Sequence, residues 1–473
     1  MSDKSHFLIV AGLLCLALSC SKSGYDVRDY GADSTGRKLS TANIQKAVDK
    51  CAADGGGTVT VPRGTYLVGT VNLKSGVELR LERGATLVAS TDLSDYQKHN
   101  DGLAGVLYTE DAENVALTGD GCIFGRGMEF MYADSAKVIA GPVLQYARQK
   151  ENLRHVEEGI GDGPLHPKDR FNQMIVFSNC RNVRIEGVTC KDSPYWCYLV
   201  VHCEKVRVHG ITIDNNLLIP NSDGLDIISS SDVLVSDCDI SCGDDAIVLA
   251  GYAWHFGDPG FRHIRKPVRN INISGCNLRS RSSAIRIGGW DQNAMSDFNL
   301  SNINIYDSNC GIGICIRDSA GLSNVNFSNF NISTRLHTGD WWGNGEPVKL
   351  SVIRDRESVP GAVRNIHFSN FNTTGQNSIL FYASPEATVE NITLTDFTCV
   401  LGQSPLEDVA GGNYDLRPSS VPDREFYEAS TPVIYMENIR EVGLSGVRTS
   451  LAPGVTKPYF KDGIVTVSTS FAK

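Results

Sequence analysis

Two acidic phrases carry the chemistry of this chain: Asn221-Ser222-Asp223-Gly224 and Gly243-Asp244-Asp245. Asp244 follows Asp223 by 21 residues, about one turn of a repeat that runs through most of the sequence. A solenoid stacks successive turns, so residues one repeat apart become neighbours on one surface. Three carboxylates gathered in this way are the equipment for acid/base cleavage of a sugar–sugar bond, in which one donates a proton and another activates water. Crowding itself divides the roles, because like charges at short range raise at least one pKa. A lone aspartate in a turn-rich segment is more simply a turn cap, as expected for Asp232 and Asp297. A trio at one-turn spacing has no structural return for its repulsion, which argues for function.

The repeat that must position them reads Asn or Asp, apolar, any, apolar, two polar or small residues, apolar. Copies begin at Asn114, Asn182, Lys205, Asp232, Asn270, Asp297, Asn324, Asn365, Asn391 and Glu441. The clearest intervals, from 182 to 205, 205 to 232, 270 to 297, 297 to 324 and 365 to 391, are 23, 27, 27, 27 and 26 residues. Each copy alternates with period two, the mark of a strand with one buried face. The unit contains no helix, and a propeller blade needs about 40–50 residues. The expected fold is therefore all-β, a single-domain right-handed parallel β-helix over residues 25–473. Thr41 to Ala53, with Ile44, Ala47, Val48 and Cys51 on one face, predicts an N-terminal capping helix that Asp54-Gly55-Gly56-Gly57 stops. Strands are expected at Thr58–Val61, Tyr66–Val71 and Val77–Leu81. Segments 124–172, 251–266, 334–360 and 401–432 lack the repeat and are expected to be long loops over a cleft.

Bulk properties narrow the partners. The net charge is −10 over 473 residues, with no long run of one sign, which argues against nucleic acid. A polyanionic substrate would need a local Arg or Lys cluster. The apolar run from Phe7 to Leu18 is placed like the core of a signal peptide. It ends in Leu16-Ala17-Leu18-Ser19-Cys20, which resembles a bacterial lipoprotein signal: residues 1–20 would be the leader, Cys20 the lipidated residue and 21–24 a short linker. The expected location is the periplasm or an outer-membrane anchor, with plain secretion as the alternative. No CxxC pair occurs among the 14 cysteines, and several sit at apolar repeat positions, so most are read as core filler. No metal-ligand spacing and no phosphate-binding GxGxxG is found, so neither metal nor cofactor is expected. A monomer is expected.

The two phrases together resemble the motifs of glycoside hydrolase family 28, the polygalacturonase-like enzymes. Asn221-Ser222-Asp223 is similar to that family's Asn-Thr-Asp, and Gly243-Asp244-Asp245 to its Gly-Asp-Asp at a family-like interval. Val27-Arg28-Asp29-Tyr30-Gly31-Ala32 and the glycines after the helix look like the family's start. The resemblance implies an inverting hydrolase without metal. Asp244 would be the general acid, Asp223 and Asp245 would activate water, and Asn221 would be a neighbouring hydrogen-bonding residue. Inversion normally sets acid and base about 6.5–9.5 Å apart.

Two family motifs are altered. At the Gly-His-Gly position the chain reads Ser282-Ser283-Ala284, with Ser283 in place of the histidine. The Arg-Ile-Lys that grips a uronate carboxylate aligns with Cys315-Ile316-Arg317. Either Arg286 and Arg317 rebuild that grip, or the sugar is not a plain galacturonate. A pair with Asp318 or the role of an edge charge suits Arg317 equally. Trp341 and Trp342, in a glycine-rich loop, suit the apolar faces of sugar rings but could also plug the loop against the solenoid. His337, Lys349 and Arg354 could line the same wall, and Trp196 is a weaker candidate. His166, His255 and His263 read as ordinary loop histidines. The expectation is an inverting, exo-acting hydrolase of pectin-like acidic polysaccharide or oligosaccharide. The rivals are a lyase or uronate epimerase on the same fold, and a catalytically dead glycan-binding homologue.

Overall fold

The residue that opens each repeat copy has left-handed backbone. Asn114, Asn182, Lys205, Asp232, Asn270, Asp297, Asn324, Asn365, Asn391 and Glu441 all have φ between 54° and 62°. Asn and Asp tolerate this conformation better than other residues with a Cβ, which explains why they dominate the position. Their side chains then stack. Asn182 donates to Asn114 (2.9 Å), Asn324 to Asp297 (3.0 Å), Asn365 to Asn324 (2.9 Å) and Asn391 to Asn365 (2.8 Å).

A computed structural model describes residues 24–472 apart from 138–160, 254–256, 340, 356–357, 407–412, 418, 420–425 and 429. The leader, Cys20 and His255 lie outside the described residues. Parallel strands form a 22-stranded sheet that winds over two faces and a 12-stranded sheet on the third. Successive coils keep register, as in Val183↔Val206↔Val233↔Ile271. One continuous apolar core fills the interior. Phe330, Phe371 and Phe397 stack through it at centroid distances of 4.9 and 4.7 Å, and Phe327 lies 4.8 Å from Phe368. The helix Thr41–Ala53 closes the N-terminal end with Ile44, Ala47, Val48 and Cys51 buried, as its periodicity requires. The parallel β-helix and its cap are therefore as the repeat predicts.

The 12-stranded sheet departs from the alternation rule. Loops cover its outer face, and Tyr108, Val176, Leu199, Ile228, Val248, Tyr252 and Phe261 make a second apolar layer there. Its inner strands are consequently buried on both faces, as in Cys310–Ile316 and Glu346–Val352. The second of these lies inside the segment 334–360 expected to be loop: it is a full coil strand with no period-two signature. Segments 124–172 and 401–432 hold short antiparallel pairs, Met131–Ala136 with Leu165–Pro167 and Asn413–Asp415 with Phe426–Glu428. The twelve described cysteines are free, eleven of them buried.

Candidate active site

Strands Leu225–Ile228, Ile247–Ala250 and Ser283–Ile287 lie side by side in the 12-stranded sheet, with Leu225↔Ile247↔Ile285 in register. Two residues back along each strand, Asp223, Asp245 and Ser283 therefore share one row. Main-chain bonds continue the pairing to the motifs: Gly224 N–H donates to Asp245 O (2.9 Å) and Ala246 N–H to Ser283 O (3.0 Å). Both motif glycines are demanded by close approach. A Cβ on Gly224 would stand 2.4 Å from the Ala246 carbonyl oxygen, and one on Gly243 2.3 Å from that of Ile219. Ser222 ties the two phrases together, accepting from Gly243 N–H (3.0 Å) and donating to Ile219 O (2.8 Å).

Winding thus brings the three carboxylates together. One oxygen from each of Asp223, Asp244 and Asp245 lies within 4.8 Å of the others. This is tighter than the spacing expected for an inverting pair, because adjacent rungs of a parallel sheet lie only about 4.8 Å apart. Asp244, partly exposed, accepts from Asn221 N–H (3.1 Å) and Asp245 N–H (3.1 Å). Burial and the charge of Asp245 push its carboxyl up to about 6, against the pull of a Ser282 hydrogen bond. Burial first, then Asp244, Asp226 and Asp245, raise Asp223 well above the usual carboxylate range. Asp245 is differently placed: its oxygens accept from Ser283 N–H (2.9 Å) and from the Arg286 guanidinium (3.3 Å). The cluster thus sets two carboxyls raised above their usual range, Asp223 and Asp244, beside a third that accepts from a guanidinium, an arrangement suited to acid/base chemistry.

These groups line a pocket of about 320 Å³ with Asn221, Ser282, Arg286, Trp290, Trp341, Trp342, Tyr195, Trp196, Tyr252 and Lys137. Asn221 is fixed on its far side by Arg170, which donates to its Oδ1 (3.1 Å) and to Pro220 O (2.9 Å). Trp341 is buried, its Nε1 donating to Asp162 O (3.2 Å), whereas Trp342 is partly exposed over the Arg286 guanidinium at 4.9 Å. Wall and plug are thus divided between the two tryptophans.

Three expected site residues are placed otherwise. Ser282, not Ser283, faces the pocket; Ser283 offers its main-chain N–H to Asp245. Arg317 is buried outside the pocket, donating to Ser351 O (2.5 Å), Ser351 Oγ (2.8 Å) and Leu416 O (2.6 Å). It pins a covering loop to the sheet. Lys349 is buried too, its ammonium donating to Asp415 O (3.1 Å). In both cases the covering loops that bury the outer face capture the charge. His337 is fully buried near Asp162 and Asp307, and the exposed Arg354 does not line the pocket. Lys137, Tyr195, Tyr252, Trp290 and Arg170 were not legible, since they come from loops without the repeat. Asp226, three residues beyond Asp223, is fully buried, with neither oxygen hydrogen-bonded among the described residues.

Comparison with known proteins places this arrangement. The model of glycosyl hydrolases family 28 matches residues 51–335. An exopolygalacturonase of Zea mays is 23% identical over 288 residues, which is 57% of this chain and 63% of that protein. An exo-poly-alpha-D-galacturonosidase of Dickeya chrysanthemi is 25% identical over 254 residues, 48% of this chain and 41% of that protein. The chain thus spans less than two thirds of the length of these relatives. Among solved structures, the family 28 exopolygalacturonase of Yersinia enterocolitica superposes with a TM-score of 0.64 at 18% identity, covering 95% of this chain and 78% of that one. The polygalacturonase of Erwinia carotovora gives 0.55 at 16% identity, covering 94% and 96%. With the family model covering well over half of the sequence, and both aspartate motifs inside the match, the chain belongs to glycosyl hydrolases family 28.

Proposed function

We propose that the protein hydrolyses glycosidic bonds of pectin-like, galacturonate-containing glycans by single displacement. The observation that carries this reading is the trio Asp223, Asp244 and Asp245 with oxygens within 4.8 Å at the foot of an aromatic pocket. Asp244 keeps its proton to about pH 6 and gives it to the glycosidic oxygen. Asp245, which accepts from the Arg286 guanidinium, takes the proton of a water that Asp223 helps to orient, and the water attacks the anomeric carbon. The proton released from water passes to Asp245, and the sugar leaves with its hydroxyl restored. The tight spacing calls for a water seated across the mouth of the carboxylate row.

Exo action is supported by the walls. The segments carrying Lys137 and Pro164, Tyr252, Trp290 and Trp341–Trp342 close around the pocket from several sides. The names of the Zea mays and Dickeya relatives agree with this choice. Export and lipid attachment at Cys20 complete the proposal, tested by loss of palmitate labelling in Cys20→Ala. The hydrolase reading is tested by following products from polygalacturonate over time. Mono- or short oligogalacturonate from the outset is expected; mid-chain cuts reject exo action, and products absorbing through a new double bond reject hydrolysis in favour of a lyase.

A further inference from the structure

A uronate substrate brings its own negative charge into a pocket that already holds three carboxyls, Asp223, Asp244 and Asp245. Some cation must offset it. The two residues aligned with the family's grip offer none: Cys315 is uncharged, and Arg317 is buried against Ser351 and Leu416. Arg286 is in the pocket, but its charge is already matched. Its Nη1 donates to Asp245 (3.3 Å), Nη2 to the Tyr252 hydroxyl (3.0 Å) and Nε to Gly288 O (3.2 Å), and its planar face lies on Trp342. Drawing it to a substrate carboxylate would remove the partner of Asp245. Arg170 stands behind Asn221, bound to the carbonyls of Pro194 and Pro220.

Lys137 remains. It lines the same pocket, directly after the strand Met131–Ala136. Its main chain is anchored, N–H to Pro164 O at 2.7 Å, while no hydrogen bond or ion pair engages its ammonium among the described residues. An ammonium on an anchored backbone, near enough to the acidic row for its charge to act on Asp244, is a receptor for a carboxylate, acting as a point charge on a flexible stem. We propose that Lys137 grips the carboxylate of the sugar bound beside the scissile bond, a role carried by the residue that follows the strand Met131–Ala136 instead of the strand that bears Cys315 and Arg317. The ligand class rests on the hydrolase reading; the test does not, because it reads binding.

The full chain carrying Asp244→Asn, with and without Lys137→Met, is titrated by calorimetry with trigalacturonate and with its methyl ester, which lacks the charge. The Asp244→Asn protein should bind the acid about tenfold or more tighter than the ester, the size of a charge-assisted contact in a partly buried site. Lys137→Met should erase that preference and leave ester affinity unchanged, and Lys137→Arg should retain most of it. An acid preference that survives Lys137→Met, an equal loss for both ligands, or binding of neither would overturn the proposal. Native protein that turns over neither ligand while the Lys137-dependent preference persists would defeat the hydrolase reading and leave this assignment standing.

Discussion

The coils from Asp297 to Leu401 and the turns around Asp223 and Asp245 are built from one repeat, yet they stack opposite chemistry. In the first region Asn302, Asn329 and Asn370 form a ladder, with amides bonded at 2.9 and 2.8 Å, and Asn304, Asn331 and Asn372 continue another that starts one coil earlier at Asn277. An amide carries both donor and acceptor, so identical residues one coil apart satisfy each other. A carboxylate only accepts, so aspartates at the same spacing repel, and Asp223 Oδ1 and both Asp226 oxygens have no hydrogen-bond partner among the described residues. Repetition is thus stabilising in one place and destabilising in the other. The difference marks where stability has given way to proton chemistry.

The largest effect that tests this contrast is catalytic. Asp244→Asn should lower turnover of oligogalacturonate by about a hundredfold to ten-thousandfold, measured by reducing ends, since an amide cannot supply the proton. The same substitution should raise the melting temperature near neutral pH, because it removes a charge from the row; a lower value would contradict the idea that the row is a destabilised site. Next in size, Phe371→Ala should cost about 3–5 kcal/mol in denaturant unfolding, because its ring is clasped between Phe330 and Phe397 in the interior. Turnover per folded molecule should not change.

The pH profile sharpens the contrast further. The proton on Asp244 must be present, so turnover should fall as pH rises through about 6. The linked stability has the same sign. The folded protein holds this proton more tightly than the unfolded chain, whose aspartate titrates near 4, so stability declines as pH rises from about 4 to about 6. Arg286→Met should lower turnover by about tenfold or more, with Arg286→Lys partly restoring it, because it removes the cation that donates to Asp245. The smallest effect belongs to the ladder: Asn329→Asp removes the donor to Asn302 and should cost about 1 kcal/mol, read by urea unfolding.

The ladder region was legible in the sequence because it faces water on one side. Alternation exposed its strands, and the left-handed corner recruited Asn or Asp at each coil, so the copies could be counted. The acidic row was legible for a different reason: its residues are close in sequence and chemically incongruous. The rest of the pocket was not. Glu346–Val352 hides in a glycine-rich stretch because covering loops bury both faces and abolish alternation. Those loops also turned Arg317 and Lys349, plausible grips from their charge alone, into buried anchors. Lys137, Tyr252 and Trp290 reach the site by loop geometry, which no local pattern encodes. Ser282 and Ser283 differ by one residue, and only strand direction decides which side chain faces the pocket.

The most direct test of the account is the anomeric configuration of the first product. Proton NMR during the opening minutes of oligogalacturonate hydrolysis reads it before mutarotation. A carboxylate row acting on water predicts the inverted anomer, despite oxygens lying within 4.8 Å of one another. A retained anomer would mean that one of these aspartates attacks the sugar itself, and would contradict the assignment of Asp223 and Asp245 to water.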